Sequence, residues 1–266
     1  MASVAAFAGS VPANYDKYLG PVLFEPYALD IIERLHNPKN VLEIACGTGR
    51  VTKHLVGKLP SDGTLTATDI NGDMIAIAKD VVKDERVEWQ VADAQQLPFE
   101  NNSFDHIICQ YGVMFFPDKQ QAMKEAYRVL QPGGKYIFNV WDELSTNPRS
   151  MIIKTTMEEI MGSDAPDFLS KGPYSWFDRA EIRKVVEAAG FKNVTMEVVQ
   201  KTGTYDKVEY LLNGFVHGSP LASYLANQTE ELKNEIVSRM KAKMTAELGE
   251  TNVPSPMQAL VWTMEK

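Results

Sequence analysis

The segment Glu43-Ile-Ala-Cys-Gly47-Thr-Gly49-Arg50 holds the residues of this chain best suited to ligand chemistry. It follows an apolar run, Asn40–Ala45, that reads as a buried strand. It opens a stretch with helical spacing at Val51, Leu55, Val56 and Leu59. Glycines at a strand-to-helix turn let the backbone approach a ligand closely, and the start of the helix presents N–H groups that no carbonyl has taken. Asp69 ends the next strand pattern, about twenty residues past the glycines, where a carboxylate can accept from both hydroxyls of a ribose. A third element, Ala92-Asp93-Ala94, ends the third strand pattern, and a carboxylate there suits the amino group of an adenine. Open parallel sheets bind ligands outside the carboxyl ends of their strands, and all three elements fall there.

Two cofactor classes fit such a turn. The dinucleotide fingerprint Gly-x-Gly-x-x-Gly needs a third glycine for close helix–sheet packing, and that position here is Thr52. The substitution counts against a nicotinamide dinucleotide, without removing it, and leaves room for another nucleoside cofactor. No spacing of His36, His54, His106 and His217 with carboxylates or cysteines suggests a metal, so none is expected. His106 lies inside a strand pattern and reads as structural.

The elements that must position these residues alternate strand and helix. Strand patterns cover Asn40–Ala45, Thr64–Asp69, Val87–Val91, Phe104–Tyr111 and Lys135–Trp141. Helix patterns lie between them, with Met74, Ile77, Ala78, Val81 and Val82 on one face, and Ala122, Ala126, Val129 and Leu130 on another. Asp118 with Gln121, and Asp178 with Glu181, have capping-box spacing. Pro132-Gly133-Gly134 is expected to end the helix before it. Strand–helix alternation implies parallel pairing with right-handed crossovers, and apolar strands imply burial on both faces. The fold class is therefore α/β, a doubly wound sheet. After Trp141 the pattern changes to a helix at Met151–Met161, a helix with Ile182, Val185, Val186 and Ala189 closed by Gly190, and a strand at Val194–Thr202. A mostly helical stretch follows, Asp206–Leu248, with a stripe at Leu232, Ile236, Met240 and Met244. Ala259–Met264 is the last strand.

Composition bounds the partners. The 266 residues are 44% hydrophobic and 23% charged, enough for a substantial core, and the formal net charge is −8. An acidic chain without a Lys/Arg stripe has no electrostatic reason to seek a polyphosphate, so nucleic acid is not expected. The two cysteines, Cys46 and Cys109, fall in or at the ends of strand patterns, which points to packing in a reducing, cytoplasmic setting. Met1–Val11 lacks the basic residues of a secretory signal, and no run of about 18 apolar residues exists to span a membrane. A monomer or homodimer is expected.

The cofactor elements resemble the class I S-adenosylmethionine-dependent methyltransferases, in particular the ubiquinone/menaquinone-biosynthesis-like, type 11 group. The likeness is close over Val41–Glu143. It extends to Leu97-Pro98-Phe99, Ser103-Phe104-Asp105 and Leu130-Gln-Pro-Gly-Gly134, and beyond Glu143 it holds only in the order of elements. The resemblance implies a mostly parallel seven-stranded sheet with an antiparallel last strand. It also implies a single domain over 1–266: an N-terminal lid over 1–30, a cofactor-binding core over 31–143, and an acceptor-side half over 144–266 with a helical cap near 206–250. By the same resemblance, Ala45, Gly47, Thr48 and Gly49 wrap the methionine part of the cofactor, and Asp69 holds the ribose. Ile70, Met74, Ala92, Asp93 and Ala94 bracket the nucleoside, and Gln110 reaches the amino-acid end.

Methyl transfer from a sulfonium is an in-line displacement that asks the protein mainly to align the acceptor and exclude water. A base helps a hydroxyl or carbon acceptor, and His217 in Phe215-Val-His-Gly-Ser219 is the candidate. The aromatic N-terminal segment Tyr15–Phe24 is expected to fold over cofactor and acceptor by the resemblance. Tyr18 is then a cofactor contact, and Tyr15 and Phe24 are acceptor contacts. Tyr111, Phe115, Phe116 and Trp141 follow the fourth and fifth strands and line the acceptor side. The acceptor is expected to be a small aromatic or heterocyclic molecule. Two other classes stay open at this point: an NAD(P)-dependent oxidoreductase, and a non-catalytic nucleoside-cofactor-binding protein.

Overall fold

The computed structural model describes residues 9–266. Residues 1–8, which begin both the expected lid over 1–30 and the apolar stretch Met1–Val11, lie outside the described residues. The chain forms two compact units. One, the sheet unit, comprises Tyr27–Trp141, Trp176–Val199 and Ala259–Lys266. The other, the helical unit, comprises Met1–Pro26, Asp142–Ser175 and Gln200–Gln258.

Seven strands make one sheet in the order β3-β2-β1-β4-β5-β7-β6. They are β1 (Asn40–Ile44), β2 (Thr64–Asp69), β3 (Val87–Val91), β4 (Phe104–Gln110), β5 (Leu130–Trp141), β6 (Lys192–Lys207) and β7 (Thr251–Glu265). The first five pair in parallel, with Leu42 opposite Thr66 and Ile107, and Ile108 opposite Ile137. β7 enters antiparallel, with Phe138 opposite Trp262. The strand order reverses between β1 and β4, which places a crevice at the carboxyl ends of those two strands.

Helices cover both faces. On one, α2 (Glu25–Glu33) and α3 (Thr52–Leu55) bury Ala28, Ile31 and Leu55 in a cluster with Val41, Leu65, Ala67, Ile108 and Ile137. On the other, α5 (Lys119–Val129) and α7 (Arg179–Ala188) bury Met123, Ala126, Ile182 and Val186 near the rings of Tyr136, Phe138 and Phe191. Between β2 and β3 runs α4 (Gly72–Val81), which buries Met74, Ile75 and Ala78.

The helical unit starts with α1 (Val11–Asn14), continues as a ten-residue π-helix, Tyr15–Phe24, and adds α6 (Pro148–Met161) and α8 (Val208–Gly218). It is completed by α9 (Pro220–Ala226) and α10 (Glu230–Leu248). The π-helix packs hard on α8. A side chain at Gly214 would stand 2.4 Å from Leu19 Cδ2, and one at Gly218 would stand 2.7 Å from the Tyr15 nitrogen. Ile236, Met240 and Met244 of the expected stripe are buried, and Leu232 is half-buried. Among the described residues, no helix is long and apolar enough to cross a membrane.

Several expected boundaries shift. Pro132-Gly133-Gly134 does not end the helix; α5 already stops at Val129, and the three residues bulge out of β5 between the pairs Phe104–Leu130 and His106–Lys135. The glycines suit the bulge, because Gly133 has φ +78°. β6 and β7 are longer than the expected Val194–Thr202 and Ala259–Met264. Pro254 and Pro256 argue against a strand, yet they lie before Ala259, in the part of β7 beyond its β5 partner, where a missing N–H breaks no bond on that side. The helix after the glycine turn is short, Thr52–Leu55, and continues as hydrogen-bonded turns to Leu59. Each expected capping box is half formed. Asp118 accepts from Gln121 N–H at 2.9 Å, while the Gln121 side chain donates instead to the Gln95 carbonyl.

Candidate functional site

The crevice begins where β1 leaves the sheet. Ala45, Gly47 and Gly49 have φ of +57°, +55° and +82°, so the chain turns through three left-handed residues before α3. Glycine adopts this conformation freely, and for Ala45 it costs about 1 kcal/mol. The two glycines serve different ends. A side chain at Gly47 would meet nothing within 4 Å, so the turn leaves an open cradle at its surface. A side chain at Gly49 would stand 3.1 Å from Ala78 Cβ, so its absence lets α4 come close. Thr48, between them, is buried.

Behind the turn stands Glu43, 2% exposed, which accepts a 2.6 Å hydrogen bond from Thr52 Oγ1. Burial pushes its carboxyl up to about 8, against the bond from Thr52. Thr52, the residue that breaks the dinucleotide fingerprint, is itself fully buried. Its hydroxyl does a task that a glycine would leave undone.

Asp69 closes the turn from β2. Its Oδ2 accepts the Gly47 N–H at 2.9 Å and its Oδ1 accepts the Asn71 N–H at 2.8 Å. Burial raises its pKa, opposed by the backbone bonds from Asn71, Gly47 and Ile70. A carboxylate accepts about four hydrogen bonds, so each oxygen keeps acceptor capacity beyond the backbone donor it holds. Asn71 caps α4 by accepting from Asp73 N–H at 2.9 Å, and thereby fixes the helix that carries buried Met74. Ile70, at 50% exposure, and Val91, at 59%, leave an apolar surface at the ends of β2 and β3.

The Ala92 N–H donates to the Asp69 carbonyl at 3.0 Å, which joins the third element to the second. Asp93 turns back on its own loop, accepting from Gln95 N–H at 2.8 Å and Gln95 Nε2 at 3.1 Å, and Ala94 is buried. Gly47, Asp69 and Ala92 are thus linked in one hydrogen-bonded chain.

On the other side of the switch point, β4 ends at Gln110. Tyr111, with φ +52°, stacks on Trp141 at 4.0 Å between ring centroids, and Tyr27 meets both rings edge-on at 5.6 Å. Tyr111 and Trp141 are buried, whereas Phe115 and Phe116 are half-buried. Tyr27 escaped the sequence reading because its partners are far away along the chain. His106 is buried, with Nδ1 at 2.5 Å from Asp105, well below the carboxyl ends of the strands.

The remaining expected residues belong to the helical unit. There Tyr15 stacks on Phe24 at 4.7 Å, and Tyr18 lies 6.0 Å from Tyr210. His217 is exposed on α8, although most of that helix is buried.

Residues 42–138 match the model of a methyltransferase domain family. The chain is 31% identical over 172 residues to the ubiquinone/menaquinone biosynthesis C-methyltransferase UbiE of Rickettsia felis, covering 59% of this chain and 69% of that one. It is 27% identical over 242 residues to the demethylmenaquinone methyltransferase of Lactococcus lactis, covering 85% and 90%. Among solved structures, phosphoethanolamine N-methyltransferase 2 of Haemonchus contortus, in complex with S-adenosyl-L-methionine, superposes with a TM-score of 0.61. At 17% identity, that match covers 96% of this chain and 56% of the other, and it speaks for the fold.

Proposed function

This chain belongs to the class I S-adenosylmethionine-dependent methyltransferases of the ubiquinone/menaquinone-biosynthesis type, and we propose that its acceptor is a small hydroxylated aromatic or heterocyclic molecule, methylated on ring carbon. The names of the relatives favour a quinol-like ring. One observation carries the site assignment: Asp69 holds the glycine turn by the Gly47 N–H and keeps acceptor capacity beside the open surface of Gly47.

The residues fit the cofactor. Ala45, Gly47, Thr48 and Gly49 would hold its methionine part against the backbone, and Asp69 its ribose. Ile70, Met74, Ala92, Asp93 and Ala94 would enclose the adenine, with the exposed Ile70 side chain gaining a covering. Gln110 would reach the amino-acid end. Bound S-adenosylmethionine supplies an activated methyl group that leaves its sulfonium by in-line displacement.

The chain itself has to orient the acceptor and keep water out. The buried Tyr111–Trp141 stack and the half-buried Phe115 would form the aromatic side of the site for a flat ring. A carbon acceptor must also lose a ring proton, and His217 is the candidate base. The roles of Tyr15, Tyr18 and Phe24, carried by the helical unit, rest on the family resemblance, and that of His217 rests on histidine being the residue type suited to base catalysis.

Isothermal titration with S-adenosylhomocysteine and with NAD tests the cofactor, and S-adenosylhomocysteine alone is expected to bind. Transfer of labelled methyl to 1,4-dihydroxynaphthalene, alongside a panel of phenols and heterocycles, tests the acceptor. Binding of NAD alone would overturn the reading. Binding of S-adenosylhomocysteine with no transfer to any acceptor would make the chain a cofactor-binding protein.

A further inference from the structure

Two residues other than glycine hold left-handed backbone at the carboxyl ends of the central strands: Ala45 after β1 and Tyr111 after β4. They are mechanically joined through Gly112. A side chain at Gly112 would stand 2.5 Å from Ala45 Cβ and 2.6 Å from Cys109 Sγ, so the exit of β4 lies directly against the exit of β1. Asparagine or glycine adopts this conformation easily, and a bulky aromatic residue does so only when its surroundings impose it.

Asn139 supplies that imposition. It lies on β5 opposite Gln110, and it is fully buried. Its Oδ1 accepts the Tyr111 N–H at 2.9 Å, and its own carbonyl accepts the same N–H at 3.3 Å. The Tyr111 donor fixes the amide orientation, because only the oxygen end can face an N–H. The Nδ2 end is then left buried without a hydrogen-bond partner among the described residues. An unsatisfied buried donor is destabilising. That unpaired donor offsets part of what the bond to Tyr111 contributes to stability.

We propose that Asn139 is a positioning residue for acceptor binding: its side-chain oxygen locks Tyr111 in the left-handed conformation and so fixes the Tyr111–Trp141 stack. The proposal rests on the methyltransferase reading for its functional half, and on backbone geometry alone for its structural half. Nothing in the resemblance or in the motif elements singles out this residue. With the bond in place, the aromatic wall is set before the acceptor arrives. Without it, Tyr111 relaxes toward right-handed backbone and the stack loses its register.

The test uses N139L, which removes the acceptor and keeps the branched shape, and N139D, which keeps an oxygen facing Tyr111. N139A, which adds no volume, replaces N139L if the leucine variant does not fold. Amide hydrogen exchange on the free protein reads the lock. In N139L the Tyr111 amide is expected to lose protection while Cys109 and Ile108 keep theirs, and N139D is expected to restore it. Steady-state methylation of 1,4-dihydroxynaphthalene reads the functional half. KM for that probe is expected to rise about tenfold in N139L, the size of one lost hydrogen bond, with affinity for S-adenosylhomocysteine within about twofold of the parent.

Unchanged Tyr111 protection in N139L overturns the proposal. So does lost protection with unchanged KM, and so does an N139D variant as impaired as N139L. If the parent protein methylates nothing, the function reading fails, and the exchange measurement still decides whether Asn139 holds Tyr111.

Discussion

Thr52 Oγ1 donates a 2.6 Å hydrogen bond to Glu43 Oε2, tying the helix that follows the glycine turn to the strand that precedes it. Both side chains are buried, so the bond forms in an environment where a lost partner is not replaced by water. Thr52→Val is expected to destabilise the protein by about 1–3 kcal/mol, the cost of leaving a buried carboxyl without its donor. Urea unfolding at pH 6 measures it. A loss below about 0.5 kcal/mol would mean that the bond is dispensable.

Glu43 also makes stability depend on pH. Its pKa is raised from 4.5 to about 8 by burial, so the fold favours the protonated carboxyl. The stabilisation from holding that proton is full below about 4.5 and is lost as pH rises to about 8. Glu43→Gln, which keeps an acceptor for Thr52, should therefore flatten the fall in stability over that window. It should leave the variant more stable than the parent at pH 8. Parallel stability curves for the two proteins, from unfolding at pH 5, 6.5 and 8, would contradict this.

Asp69→Asn keeps the shape of the side chain and removes charge and half of its acceptor capacity. Affinity for S-adenosylhomocysteine should fall by about ten- to a hundredfold, the range for hydrogen bonds to a charged group. Titration calorimetry reads this directly. An unchanged Kd would remove Asp69 from the cofactor site.

Gly47 and Gly49 should respond differently to alanine. Both variants strain a left-handed residue, at a cost of about 1 kcal/mol. Gly47→Ala also pushes a methyl group into open space above the turn, so cofactor affinity should drop by more than stability does. Gly49→Ala presses on Ala78, so the larger loss should be in Tm. Paired thermal unfolding and calorimetry distinguish the two patterns, and equal effects on both quantities in both variants would refute the division of labour.

His217→Asn tests the candidate base. A fall in kcat of about a hundredfold or more, with unchanged affinity for S-adenosylhomocysteine, is the outcome expected of general-base catalysis. Turnover equal to the parent would assign His217 to the surface of α8.

The parallel half of the sheet was most readable where its strands are buried on both faces and closed by turns, as β1 and β4 illustrate. β6 was harder. Along Lys192–Lys207 only Tyr205 is buried, so hydrophobic pattern says little about where it begins or ends. The Pro-Gly-Gly segment has the composition of a helix stop, and only the strand register shows it to be a bulge. At the site, Gly47 and Asp69 announced themselves through residue type and spacing. Asn139 and Tyr27 did not, because their roles come from contacts with Tyr111, one from the neighbouring strand β5 and one from the helix α2, and no local pattern encodes contacts so distant along the chain.

β7 lies between β5 and β6, although it is the last of the seven strands to leave the ribosome. Roughly 110 residues separate Trp141, where β5 ends, from Thr251, where β7 begins. At synthesis rates of about 5–20 residues per second, β5 waits on the order of 5–20 seconds with one edge open. That edge belongs to a strand carrying Ile137, Phe138 and Val140, all buried in the finished protein. During translation it is a ready template for pairing with the wrong chain. Newly made chains are therefore most exposed to aggregation in the interval before β7 fills the gap between β5 and β6.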